Sequence, residues 1–204
     1  MAETVRRDAL AEPLFRLSMV FDILYCLGIG VLLAALYVVL SPVNRHLAVL
    51  ASVLKLIYGF TAVLMVLGHL NVLGLATDAA YQQALGPESL HALVRLNRAA
   101  IWSQYYVGLV FWALSATIFA WLWLKSRYIP AALALFGIVS AAWCVLCTLA
   151  YIFNPQFSSI VNLWWFDTPF ALFDITLSFW LLFKGLRVPA SPAAMSDSLR
   201  TASA

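Results

Sequence analysis

The stretch LSMVFDILYCLGIGVLLAALYVVL, residues 17–40, carries a single charged side chain, Asp22, in an otherwise almost wholly apolar run. A helix needs about 20 such residues to cross a hydrocarbon core. A soluble helix of this length would put polar residues on its outer face, and this one does not. Four more runs of the same kind follow, at 47–75, 101–124, 130–153 and 161–183. Hydrophobic residues make up 64% of the chain and charged residues 10%, outside the norm for globular domains. Barrel strands would be segments of about 10 residues with strict alternation. The sequence therefore predicts an all-α, polytopic transmembrane helix bundle of five spans, each hydrogen-bonding its own backbone in lipid.

The spans consume nearly the whole chain. Residues 1–16 mix charges of both signs around Leu10, Leu14 and Phe15 and read as an interfacial segment, interrupted by Pro13. Residues 17–188 form the bundle, and 189–204, rich in Pro, Ala and Ser, read as a disordered tail. The first span does not read as a cleavable signal peptide: it is too long, contains Asp22 and ends at SPVNR (41–45) without a small-x-small site. Pro42 stops the first helix, and the short turn makes the first two spans antiparallel neighbours. Between the second and third spans, Gly86-Pro87-Glu88 has the signature of a helix start, followed by an amphipathic lead-in to the third span. Aromatic residues mark the expected interfaces, with Trp102, Tyr105 and Tyr106 opening the third span, Trp121 and Trp123 closing it, and Trp164 and Trp165 opening the fifth.

Lysines and arginines set the expected orientation. Arg45, Lys125, Arg127, Lys184 and Arg187 lie tight against span ends on one side, while the connection between spans four and five on the other side has no basic residue. This places the C-terminus in the cytoplasm and the N-terminus outside. The net charge of +3 is too small and scattered for nucleic acid. Cys26, Cys144 and Cys147 all fall inside spans and give no disulfide framework; the last two read as small packing residues one turn apart.

The segment Phe15-Arg16-Leu17, then Asp22, then LYVVLSPVNR (36–45), resembles a family of bacterial multi-pass membrane proteins catalogued as a domain of unknown function. The likeness continues through 47–75, Gly108–Trp112 and Lys125–Pro130, covering roughly residues 14–155. The resemblance implies a bacterial plasma membrane location and no assigned activity. The resemblance implies six spans in typical family members, with one more helix before the Phe-Arg segment, so this chain looks like a five-span variant.

Ionisable groups in hydrocarbon cost about 2.5–3.5 kcal/mol each on insertion scales and need partners or water. Asp22, Lys55, Asp167 and Asp174 are such groups, with His69 and Gln104 beside them as candidates for a polar interior. At about 1.5 Å per residue, Asp22, His69, Gln104 and Asp167 fall in one layer near the outer face. Lys55 and Asp174 fall near the midplane. More than one reading of each layer stays open. Lys55 with Asp174 is a structural clamp or a gate on a proton or ligand pathway, or else Lys55 only snorkels toward the inner interface. Asp22 with His69 is either a relay, since histidine titrates near neutral pH, or a surface arrangement with Asp22 serving Arg16 or a loop amide. His46 and His69 sit at opposite ends of the second span, which argues against a bis-histidine haem. Cysteines and histidines do not cluster at metal-ligand spacing, so neither cofactor nor metal is expected.

The sequence thus leads to an integral membrane protein that binds or moves a small solute or proton through a polar interior. The alternative is a non-catalytic accessory or assembly subunit, packed on a membrane-protein partner or a second copy of itself. An intramembrane enzyme ranks third, because no catalytic constellation stands out.

Overall fold

The computed structural model describes residues 2–84, 86–154, 156–162 and 164–186, and every element among them is a helix. In chain order these are α1 (Ala2–Leu40), α2 (Arg45–Thr77), α3 (Ala79–Ala84), α4 (Pro87–Ser126), α5 (Ala131–Phe153), α6 (Phe157–Ile160) and α7 (Trp164–Lys184). Five are long and apolar enough to cross a membrane: Pro13–Leu40 within α1, Arg45–Thr77, Glu88–Ser126 within α4, Ala131–Phe153 and Trp164–Lys184. The expected tail at 189–204 lies outside the described residues.

Helix ends follow local chemistry. Leu40 closes α1 by accepting from the amides of Val43 and Asn44, at 3.1 and 3.4 Å, while Pro42 has no amide to continue the ladder. Asn44 then caps α2, its side chain accepting from the Leu47 amide at 3.1 Å. Two expectations shift. Pro13 sits inside α1, which runs unbroken into the first span. The lead-in and the third span fuse into one 40-residue helix, α4, because no glycine or proline separates Glu88 from Gly108. At 1.5 Å per residue that helix is roughly 60 Å long, so its first turns project beyond the hydrocarbon.

α4 is the central post. α2 lies on one side of it, where the buried Ser115 hydroxyl donates to the Ala51 carbonyl at 2.7 Å. Gly108 lets Thr61 and Tyr58 of α2 approach, and Gly68 makes room for Ile101. α5 lies on the other side, with Cys144 and Cys147 buried against Tyr106, Leu109 and Ala113. α1 packs outside α2, and α7 packs on α5, the Phe173 ring lying over Gly137. Gly30, equally small, faces open space and packs nothing.

The two ends of the bundle differ. At the end carrying the α1–α2 and α4–α5 turns, Leu40, Ala48, Ala51, Phe119, Leu122, Trp123, Ile129 and Ala134 form one buried cluster. Trp123, expected at an interface, is 2% exposed and belongs to this plug. α7 stands away from α1, α2 and α4 along its length: among the described residues no Cα of α7 comes within 8 Å of one in those three helices. Large aromatic side chains bridge that gap, and they do not fill it.

Candidate functional site

The gap is a cavity of about 660 Å³. α2 contributes Met65, His69 and Val72; α4 contributes Arg98, Ile101, Trp102, Tyr105 and Tyr106; Trp164 and Asp167 of α7 and Phe15 of α1 complete its wall. The size is that of an ordinary small-molecule pocket, and the lining is the usual one, apolar and aromatic with a few convergent polar groups.

Those polar groups form one layer. The Tyr105 hydroxyl donates to Asp167 Oδ2 at 2.5 Å, joining α4 to α7 across the cavity. No lysine, arginine or histidine among the described residues comes within 4.0 Å of the Asp167 carboxylate as an ion pair. Asp22 Oδ2 lies 3.9 Å from His69 Nδ1, an electrostatic contact too long for a hydrogen bond. Phe15 meets the His69 ring edge-on at 6.2 Å between centroids. Gln104 stands in the same layer, but its side-chain oxygen is buried without a donor among the described residues, close to Gly68 rather than to the cavity.

Deeper lies a second layer. Lys55 is 6% exposed, and its Nζ lies 5.8 Å from the Tyr58 ring centroid and 5.5 Å from that of Trp112. These rings are themselves stacked, 5.9 Å apart at 27°, so the ammonium rests against a pair of aromatic faces. Trp112 leans edge-on against Phe170 of α7, at 4.4 Å. The Tyr58 hydroxyl shares a 2.7 Å hydrogen bond with that of Tyr25 from α1. Half-buried Asp174 of α7 lies near enough to Lys55 for their charges to interact. Lys55 and Asp174 nevertheless form no ion pair within 4.0 Å.

The structure thus brings Asp22 to His69, sets His69 and Asp167 on one cavity, and leaves Gln104 beside it. It puts Lys55 and Asp174 in one layer without closing a bond between them. Four contributors were missed. Tyr105 reads in the sequence only as an interfacial aromatic, and Arg98 carries no site reading there. Tyr25 and Tyr58 gave no signal, since a tyrosine in a span is unremarkable until a second hydroxyl is known to meet it. Among the described residues no group of three His, Cys, Asp or Glu side chains converges as metal ligands.

The α5–α7 contact carries a further local feature. Pro169 has no amide to donate to the Trp165 carbonyl one turn earlier. That carbonyl accepts instead from Trp143 Nε1 of α5, at 2.9 Å. A backbone group freed by proline inside a span is satisfied by a neighbouring helix.

Compared with known proteins, the chain matches the family model described as a domain of unknown function (DUF4386) over residues 1–185, and it belongs to that family. The match extends on both sides of the 14–155 region where the resemblance was read, and takes in the N-terminal segment and α7. No curated protein and no solved structure matches the chain.

Proposed function

We propose that this membrane protein binds a small, partly apolar solute in the cavity between α2, α4 and α7, as the receiving site of a transporter. The observation that carries the reading is the asymmetry of the bundle. One end is plugged by a tight apolar cluster from Leu40 to Ala134, while the other holds a 660 Å³ cavity with His69, Arg98, Tyr105 and Asp167 on its wall. An aromatic-lined cleft of this size, with a few convergent polar groups, has the form of a small-molecule site. Lys55 and Asp174, below the cavity and not bonded to each other, are the groups a solute or proton would meet next on the way through. In the orientation favoured by the lysines and arginines, the open end faces the outside of a bacterial plasma membrane.

Filling the cavity tests the reading. Native mass spectrometry of the full chain, released from membrane-derived discs, should show a bound small molecule that Val72→Trp loses, with folding and helicity kept. Val72 is 8% exposed and lines the cavity, so a bulky ring there competes for the same space. A folded wild-type protein that carries no adduct, or an adduct that survives the substitution, contradicts the proposal.

A further inference from the structure

The cavity wall has a definite chemical preference. Trp102, Tyr105 and Tyr106 form a contiguous aromatic group: Trp102 meets Tyr105 edge-on at 5.9 Å and stacks with Tyr106 at 6.3 Å. Trp164, 78% exposed, stands on the α7 side. Aromatic faces carry negative quadrupoles and attract cations, most strongly when water is excluded. Between these walls sits Asp167, whose Oδ2 accepts from Tyr105 and whose Oδ1 has no donor among the described residues. A carboxylate in the first turn of α7 complements the helix terminus wherever it points. That role explains an acid at this position; it does not explain why Tyr105 reaches across the cavity to hold it. Arg98, the one fixed positive charge on the wall, is an exposed residue in the part of α4 before Ile101, with a long stem that lets its head turn to water.

We propose that the cavity takes a lipophilic organic cation, an amine or quaternary centre carried on an apolar body, with Asp167 as its counter-charge and the Trp102–Tyr105–Tyr106 group as its cation–π wall. This rests on the reading that the cavity binds a solute, and it adds the ligand's charge. Tyr105 acts as a positioning residue, turning the carboxylate into the cavity.

Two probes of nearly the same size and shape but opposite charge separate the possibilities: tetraphenylphosphonium and tetraphenylborate. Saturable binding of each is measured by tryptophan quenching on the full chain in lipid nanodiscs, with empty discs subtracted. The proposal expects tetraphenylphosphonium to bind roughly tenfold or more tightly than tetraphenylborate. Asp167→Asn, which keeps an acceptor for Tyr105, should remove that preference, Asp167→Glu should keep it, and Arg98→Gln, which takes a positive charge off the wall, should tighten cation binding. Should the aspartate variants fail to fold, the comparison of the two probes on the wild-type chain decides the charge by itself. Preferential binding of tetraphenylborate, lost in Arg98→Gln, would overturn the cation assignment while leaving solute binding standing. Equal binding of both probes, indifferent to Asp167→Asn, would overturn the role of the carboxylate. Saturable binding of neither probe by folded protein would overturn this proposal and count against the solute-binding reading with it.

Discussion

Lys55 holds a charge among side chains that cannot solvate it, with two aromatic faces and one carboxylate out of bonding range for company. Cation–π contact supplies about 0.5–2 kcal/mol, short of the cost of desolvating an ammonium, so the Asp174 charge is needed as well. Lys55→Met and Asp174→Leu should therefore each destabilise the purified chain, while the double variant loses less than their sum. The coupling should be about 1–2 kcal/mol, toward the lower end for a pair that is near but not bonded. Denaturant unfolding of the four proteins in detergent measures it, and strictly additive losses would show that the two charges do not serve each other. The sequence made this layer visible because an ionisable residue in a span is rare and its depth can be counted. It hid the tyrosines and Trp112, whose role depends on which faces turn together, and no count along one helix supplies that.

At the scale of the helix, two predictions follow from backbone chemistry. Trp143→Phe removes the donor to the Trp165 carbonyl and should cost about 1–3 kcal/mol, the usual penalty for a stranded polar group. In a Pro169→Ala background the amide returns to that carbonyl, so the same replacement should cost little; equal losses in both backgrounds would mean the indole bond carries no such weight. The glycines give a sharper contrast. A Cβ on Gly137 would lie 2.5 Å from Phe173 Cζ, whereas one on Gly30 meets nothing within 4 Å. Gly137→Ala should thus cost about 1–3 kcal/mol by overpacking, and Gly30→Ala should stabilise by up to about 1 kcal/mol through helix propensity. Thermal unfolding of the two variants checks both signs. Gly30–Ala34 and Gly137–Ala141 share the same small-residue spacing in the sequence. Only the packing partner distinguishes them, and Gly68 and Gly108, the glycines that admit α2 to α4, stand in no such pair.

For the whole molecule, hydropathy carried the fold class and all five spans, because the cost of an unpaired amide in lipid leaves helices as the only reading of runs this long. It located span ends to within a few residues except at α4, where continuity of helix-forming residues extended the third span toward Pro87. The offset of α7 from α1, α2 and α4 was not legible, since every span is apolar enough to pack anywhere. That offset leaves room for the cavity at one end, while Leu177, Trp180 and Leu181 pack α7 onto the apolar cluster at the other. Reporter fusions after Lys184 should score as cytoplasmic, placing the open end outside, and an extracytoplasmic score would invert the direction of access without altering the cavity itself.

Water access to the cavity wall is the most direct test of this architecture. Met65 lines the cavity, while its neighbour Leu64 is 42% exposed on the apolar outer surface at nearly the same depth. Met65→Cys and Leu64→Cys can be reacted, in intact membranes, with a charged, membrane-impermeant maleimide, taking the native cysteines as background. A cavity open to water from one end predicts that Cys replacing Met65 labels roughly tenfold or more faster than Cys replacing Leu64, from one side of the membrane only. Equal, background-level labelling of the two would contradict an open cavity, and with it the proposal that this bundle receives a solute.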